Sequence, residues 1–202
     1  MNAVITGDII NSQKKNPKIW QSALKLAIGT DFKNPQKWEI YRGDEFQYFL
    51  ENAEEAFLII LRIKSQIKMI KNLDVRMSVG IGNRDVKMDK VSTSNGSAFV
   101  NSGRTLDNLK KEKINLKINS GTKVFDDDLN LIFRWASETM DKWTPPVAET
   151  VFELLDNKNL TQEELAKKLN ISQSSVSQRF KRANYDLIME TDQYFRKKLA
   201  EL

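Results

Sequence analysis

The chain has 202 residues, of which 40% are hydrophobic and 29% are charged, and its formal net charge is +5. This length and composition are typical of a globular protein with one large domain or two small ones. The sequence contains no cysteine and no histidine, which excludes disulfides, thiolate nucleophiles, zinc-finger sites and imidazole catalysis.

Any chemistry must therefore use carboxylates, bound metal and cationic side chains. No run approaches the ~18 consecutive apolar residues of a membrane span, and the first residues lack the pattern of an export signal. We expect a cytoplasmic protein with no membrane partner. Its positive charge allows nucleic acid or an anionic nucleotide as a partner without requiring either.

Apolar periodicity predicts the first strand and the first helix. Residues 1–6 form a short apolar run, which predicts a buried strand, and Asp8 follows it closely. Apolar side chains in residues 16–28 recur at helical spacing, which predicts an amphipathic helix packed on the sheet. Asp8 would then lie at or near the end of the first strand.

An acidic hairpin comes next. Residues 37–41 and 46–50 are rich in aromatic and branched side chains, and a glycine between them supplies a turn, which is typical of a β-hairpin. Asp44 and Glu45 lie at its tip, and Mg²⁺ prefers carboxylate oxygen. We expect Asp8 to lie beside this hairpin and to complete a metal site. An ordinary turn and an unrelated loop acid remain the alternative.

The rest of the first half continues as helices and strands. Residues 52–70 predict a long helix, residues 75–82 a strand, residues 96–110 a helix and residues 114–118 a further strand. The order strand, helix, hairpin, helix, strand, helix, strand predicts an α+β sandwich with helices covering one face.

Three acids at residues 126–128 open a connecting segment. They precede an apolar run and are most simply a helix N-terminus, where carboxylates interact favourably with the helix dipole. A metal site is the alternative. We assign residues 1–125 to a first domain, residues 126–143 to a connecting helix and residues 144–202 to a small all-helical domain.

This second domain has the pattern of a helix-turn-helix. Thr161 and Glu164 have the spacing of a capping box at the start of a short helix. Asn170 and Ile171 form a tight turn, and Ser172 caps the next helix. Two short helices packed without DNA contact are the alternative. The apolar stripe of a last helix, residues 184–202, is expected to pack against this pair rather than to form a dimer seam.

The second helix of the pair would enter the major groove of double-stranded DNA. Amides and arginine suit base edges, whereas serine and basic side chains suit phosphates. From residue 143 to residue 202 the chain has nine Lys/Arg and nine Asp/Glu, so DNA affinity should be modest and salt-sensitive. The candidate DNA-binding residues are Gln173, Ser174, Ser175, Ser177, Gln178, Arg179, Lys181 and Arg182.

Three stretches of the first domain together resemble the palm domain shared by class III nucleotidyl cyclases and GGDEF diguanylate cyclases. They are VITGDIINS at residues 4–12, YRGDEF at residues 41–46 and RMSVGIG at residues 76–82, and residues 96–104 are similar to a cyclase helix that carries an asparagine and an arginine. The resemblance covers residues 1–120 and implies a ferredoxin-like βαββαβ core. With the helix-turn-helix included, the whole chain resembles the SatD family.

In such cyclases two aspartates and one backbone carbonyl hold two metal ions. The resemblance carries these roles onto Asp8, Asp44 and the carbonyl of Ile9, and Glu45 is a further candidate ligand. It implies Mg²⁺ or Mn²⁺ as cofactor and a nucleoside triphosphate as ligand. Arg104 would contact phosphate. Because cyclase sites are usually completed across a dimer, a homodimer is implied in which Arg104 acts on the partner's site.

The sequence departs from the cyclase pattern at several positions. Val100 replaces the cyclase asparagine, Ile40 replaces the residue that contacts the purine, and Arg42 replaces the first glycine of GGDEF. No lysine can be assigned as the cation of the transition state. Three functions remain open. The first is a DNA-binding regulator whose cyclase-like domain binds metal and nucleotide or mediates dimerisation, and the second is an active metal-dependent nucleotidyl cyclase or transferase. An interaction protein that binds proteins through both domains is a third.

Overall fold

A computed structural model of the chain describes residues 1–157 and 159–202. Its strands are β1 (Asn2–Ile10), β2 (Trp38–Arg42), β3 (Glu45–Leu50), β4 (Asp74–Gly82) and β5 (Leu116–Asn119). They form one sheet in the order β2-β3-β1-β4-β5. β1 is antiparallel to both of its neighbours, β2 is antiparallel to β3, and β5 is parallel to β4.

Helices connect these strands, except at the tight turn between β2 and β3, and further helices follow β5. They are α1 (Pro17–Ile28), α2 (Ala56–Lys68), α3 (Ser97–Glu112), α4 (Lys123–Met140), α5 (Pro145–Asp156), α6 (Gln162–Leu169), α7 (Gln173–Ala183) and α8 (Tyr185–Ala200). The predicted α+β class is confirmed. Within the described residues, no helix has both the length and the apolar character needed to cross a membrane.

Helices cover both faces of the sheet, so the prediction that they cover one face is wrong. α1, α2 and α4 share a hydrophobic core with one face. α3 lies on the opposite face, where Ser78 Oγ donates to the carbonyl of Ser102 at 2.8 Å and Thr6 Oγ1 donates to Ser102 Oγ at 2.9 Å. A Cβ added at Gly80 would lie 2.0 Å from the carbonyl oxygen of Ala98. Small and polar residues thus let α3 approach this face of the sheet closely.

α4 begins at Lys123, three residues before the predicted connecting helix. Asp126 lies in its first turn and accepts a hydrogen bond from the backbone N–H of Ser120 at 2.7 Å, as expected of an acid at a helix N-terminus. The two acids that follow lie beyond the first turn and are exposed. Phe133 is fully buried, so α4 belongs to the core as well as connecting the two halves of the chain.

The ends of α6 and α7 agree with the predicted capping. Thr161 Oγ1 accepts from the backbone N–H of Glu164 at 3.2 Å, and Glu164 Oε2 accepts from the backbone N–H of Thr161 at 2.8 Å. Asn170 takes a left-handed φ of 52° in the turn, and Ser172 Oγ accepts from the backbone N–H of Ser175 at 3.2 Å. The capping box and the tight turn are therefore confirmed.

α8 packs most extensively on α4, so the predicted packing of its stripe against α6 and α7 is wrong for most of its length. The ring of Phe195 lies 5.8 Å from the ring of Phe133 on α4. The first turn of α8 contacts α7 through Tyr185, whose ring lies 5.1 Å from the ring of Phe180. An apolar stripe predicts burial, but it does not specify which surface covers it.

A buried ion-pair group joins distant parts of the fold. Lys64 of α2 has a side chain that is 1% exposed, and it pairs with both Asp74 of β4 and Asp141 after α4. Lys68 Nζ donates to the carbonyl of Asp141 at 2.6 Å and lies 3.3 Å from Asp74 Oδ2. The sheet, α2 and the end of α4 are therefore tied by charge as well as by apolar packing.

Candidate functional site

Three charged side chains form a row across the sheet near the hairpin tip. β1 extends to Ile10, so Asp8 lies inside the strand, opposite Glu45 of β3 and Arg76 of β4. Directly opposed residues of antiparallel strands point to the same face, and here this is the face that α3 covers. The structure thus brings Asp8 beside the acidic hairpin, as predicted.

Asp8 is paired with Arg76. Arg76 Nη1 lies 3.3 Å from Asp8 Oδ2 and 3.4 Å from Oδ1, and Arg76 Nε donates to the carbonyl of Ile114 at 3.2 Å. Both side chains are largely buried, at 14% and 17% exposure. Burial raises the pKa of Asp8, and the positive charges of Arg76 and Lys110 offset this only in part. A further cation would therefore stabilise the charged form of Asp8.

Lys110 of α3 reaches the same row. Its Nζ lies 2.6 Å from Glu45 Oε1. Burial lowers the pKa of Lys110, but the hydrogen bond to Glu45 and the charge of Asp8 outweigh this and raise it. Burial, followed by the charge of Glu45, raises the pKa of Tyr41 to about 12. At neutral pH this side of the site therefore holds a fixed cation and a neutral phenol.

Asp44, at the hairpin turn, faces a polar cleft. Its carboxylate accepts a hydrogen bond from Ser12 Oγ, and its carbonyl accepts from the backbone N–H of Ile9 at 3.3 Å. A cavity of about 520 Å³ opens beside it. Trp20 is 2% exposed, and its Nε1–H finds no hydrogen-bond partner among the described residues. The cavity is lined by Ser12, Gln13, Lys15, Pro17, Trp20, Gln21, Gly43 and Asp44.

The oxygen donors at this end of the sheet are of the type that Mg²⁺ and Mn²⁺ prefer. Asp8 and Asp44 supply carboxylates. Ile9, the residue after Asp8, donates its backbone N–H to the carbonyl of Asp44 and so ties the two segments together. Glu45, predicted as a further ligand, is instead bound by Lys110. Within residues 1–157 and 159–202 no three acidic side chains form a ready metal cluster. An ion here would be held by Asp8, Asp44 and the carbonyl of Ile9, where it would polarise a bound phosphate.

Arg104 lies apart from this row, on the exposed side of α3. It follows Val100, which is 39% exposed, by one helical turn. Asn101, the residue after Val100, donates through Nδ2 to the carbonyl of Ile81 at 3.0 Å and so ties α3 to β4. The lysine that meets the acidic hairpin is Lys110, which sequence reasoning did not identify.

Several residues of the site were not predicted, namely Ser12, Trp20, Arg76 and Lys110. Arg76 alternates with buried apolar residues along β4, and this period of two could have assigned it to the face of Asp8. Lys110 offered no such signal, because its contact with Glu45 spans 65 positions and depends on how α3 lies across the sheet.

α7 presents most of its predicted DNA-binding residues to solvent. Val176 on its inner side is fully buried against Leu165 of α6. Ser175 is half-buried beside the capping serine, and Gln173 Nε2 donates to Gln162 Oε1 at 3.1 Å. The exposed residues of the predicted set are Gln173, Ser174, Ser177, Gln178, Lys181 and Arg182.

Arg179 differs from the rest of this set because it is held by α5. Its Nη1 lies 3.1 Å from Glu149 Oε2 and 3.3 Å from the carbonyl of Pro146, and its side chain is 20% exposed. Arg179 therefore fixes α7 to the helix before it. The exposed cations of α7 are Lys181 and Arg182.

The fold and this site define an α+β protein with a buried charged row at one end of its sheet and an exposed polar helix in its second half. The chain matches the model of the SatD family over residues 2–199. It therefore belongs to the SatD family. No curated protein and no solved structure matches it.

Proposed function

We propose that the protein is a DNA-binding regulator that reads DNA with α7 and responds to a metal-bound nucleotide held by its sheet. The observation that carries the DNA-binding part is the outward side of α7. Six polar or basic side chains are exposed there, while the inner side packs on α6 through Val176. Such a side chain set suits base edges and phosphates in the major groove.

The nucleotide part of the proposal is supported by the hairpin end of the sheet. The first four strands lie in the order β2-β3-β1-β4 with antiparallel neighbours, which is the order of a ferredoxin-like core and of the cyclase palm that the sequence resembles. Asp8 and Asp44 supply oxygen for Mg²⁺ or Mn²⁺. Lys15 lines the adjacent cleft and would supply a donor to phosphate oxygens there.

DNA binding can be measured by fluorescence anisotropy of the full chain with a pool of random-sequence duplexes about three helical turns long. We expect an affinity that falls steeply with salt. Arg182→Ala and Lys181→Ala should each reduce the slope of log affinity against log salt by about one. Lys123→Ala, which removes an exposed lysine from the start of α4, is the matched control. Equal slopes in all four proteins would contradict the proposal.

Nucleotide binding can be measured by thermal melts with each ribonucleoside triphosphate and Mn²⁺, followed by chromatography of the same samples. We expect one nucleotide to raise the midpoint in the wild type and in the exposed-loop control Asp89→Asn, but not in Asp8→Asn or Asp44→Asn. A ligand at 100 times its Kd adds about 2.7 kcal/mol to the free energy of unfolding. A new product would favour the alternative, a metal-dependent nucleotidyl cyclase or transferase.

A further inference from the structure

α4 carries an apolar stripe on its outward side that the fold leaves uncovered. Trp135 is 73% exposed and Leu131 is 62% exposed, and Leu187 of α8, 59% exposed, lies beside them. The other three tryptophans of the chain are buried, at 2%, 6% and 3% exposure. Tryptophan is the residue most enriched at the centres of protein interfaces. This stripe is therefore a strong candidate for a contact surface.

The charges at the two ends of the stripe have opposite signs. Asp127 and Lys142 are both exposed and lie eight residues before and seven residues after Trp135. At the helical rise of 1.5 Å per residue, Asp127 is about 12 Å from Trp135 along the axis. Lys142 lies just past the end of α4 and lines the same groove as Trp135. Positions 127, 131, 135 and 138 recur at intervals of three or four, so they share one side of the helix.

This arrangement is self-complementary. A second α4 laid antiparallel across the first, with a twofold axis at Trp135, brings Asp127 against the partner's Lys142, and the same pair recurs on the other side. Arg134, next to the axis, comes over the ring of the partner's Trp135, which favours a cation–π contact. A second copy of the chain thus meets both the apolar centre and the charged ends of the stripe.

The surface beside the stripe has room for a partner's side chains. A groove of about 440 Å³ is lined by Leu131, Arg134, Trp135 and Glu138. On the other side a groove of about 280 Å³ separates α4 from α8 and is lined by Leu187 and other residues of both helices. Ridges of one helix that enter grooves of another are the usual basis of helix packing.

We propose that the protein forms a twofold homodimer through the outward side of α4, with Trp135 at the axis and an Asp127–Lys142 ion pair at each end. This proposal rests on α4 and α8 alone. It is independent of DNA binding by α7 and of nucleotide binding by the sheet. A dimer of this kind would carry two copies of α7.

The mass of the full chain in solution tests the proposal. Sedimentation velocity and light scattering over a concentration series should show a dimer. Trp135→Ala should weaken its association by about tenfold or more, because truncation of a central tryptophan is among the costliest interface changes. Leu26→Ala is the matched control, since Leu26 is 63% exposed on α1. A wild type that stays monomeric up to about 100 μM, or a dimer insensitive to Trp135→Ala, would overturn the proposal.

Charge reversal tests the antiparallel register. Asp127→Lys and Lys142→Asp should each weaken the dimer, and the variant with both changes should recover it because opposite charges again meet. Failure of the double variant to recover would exclude this register. The chain contains no cysteine, so Arg134→Cys near the axis should give a disulfide-linked dimer on oxidation, whereas Leu26→Cys should not. Equal cross-linking by both would count against the proposed axis.

Discussion

Asp8 is a buried carboxylate whose surroundings favour its neutral form more than water does. Burial raises its pKa in the folded state above the ordinary value of 3.8, so the folded protein holds this proton more tightly than the unfolded chain. The contribution of Asp8 to the free energy of unfolding is therefore greatest below pH 3.8 and is lost as the pH rises through the raised folded pKa. At neutral pH Asp8 costs stability, which is common for functional residues.

Asp8→Asn should remove this pH dependence. We expect urea unfolding between pH 4 and pH 8 to show the wild type losing stability relative to the variant as the pH rises, so that the variant is the more stable at neutral pH. Asn retains an oxygen that can accept from Arg76. Asp89→Asn, a change in an exposed loop, controls for the loss of one charge. Parallel pH profiles for the wild type and Asp8→Asn would show that burial does not raise the pKa of Asp8.

The sequence predicts the acids of this site better than their partners. Asp8 and Asp44 each follow a recognisable local pattern, a short apolar run and a hairpin turn. Ser12, Arg76 and Lys110 are defined by contacts that the chain makes over 32, 68 and 65 positions. Such contacts depend on strand register and helix orientation, which local patterns do not determine.

Among the secondary-structure elements, α7 is the one on which the proposed DNA binding depends. Its attachment to α5 runs through Arg179, which contacts Glu149 and the carbonyl of Pro146. Arg179 was predicted from sequence as an outward residue of this helix that would contact DNA. The structure turns it towards α5, and its role is therefore to hold α7 in place.

Arg179→Ala should destabilise the protein by about 1 kcal/mol, because it removes a charged hydrogen bond and a partly exposed ion pair. The salt slope of DNA binding should stay at its wild-type value, since Arg179 is already neutralised by Glu149. Chemical denaturation and anisotropy on the same samples check both parts. Arg182→Ala is the converse control, with normal stability and a reduced slope. A reduced salt slope of DNA binding in Arg179→Ala would contradict this expectation, because it would show that Arg179 breaks its ion pair with Glu149 and contacts DNA.

Local signals predicted the helix caps of α6 and α7 well and packing partners poorly. The cap at Ser172 and the capping box at Thr161 were identified because each involves residues three positions apart. The face covered by α3 and the surface covered by α8 were not, since polar residues such as Ser78 are buried under α3. An element's own sequence determines where it begins, but the surface it meets belongs to another part of the chain.

At the scale of the whole molecule, the sheet, α2, α4, α5 and α8 are held together by a continuous core and by the ion pairs of Lys64. The hydrophobic cluster that contains the sheet also contains Val147 and Val151 of α5 and Phe195 of α8. Lys64 of α2, a helix that belongs to this cluster, pairs with Asp74 of β4 and with Asp141 after α4. The two halves predicted as separate domains therefore share a core.

Lys64→Met should cost about 3 kcal/mol or more, because it removes the cation that two partly buried carboxylates share and leaves only Lys68 beside Asp74. Adding Asp74→Asn and Asp141→Asn should recover much of this loss, since replacing a whole buried ion group is often nearly neutral. Urea unfolding should show a single transition in all variants. Lys123→Met, at an exposed position, is the control. A separate early transition for the second half would contradict the shared core.

The packing of α8 on α4 also bears on how the chain is made. Protein synthesis releases the N-terminus first, at roughly 5–20 residues per second, so all five strands leave the ribosome before α8 does. Until Phe195 arrives, Phe133 lacks one of its aromatic neighbours, and the apolar side of α4 stays open to water. The nascent chain therefore passes through a stage with its sheet complete and its core unsealed, when chaperones and proteases have their best access to it.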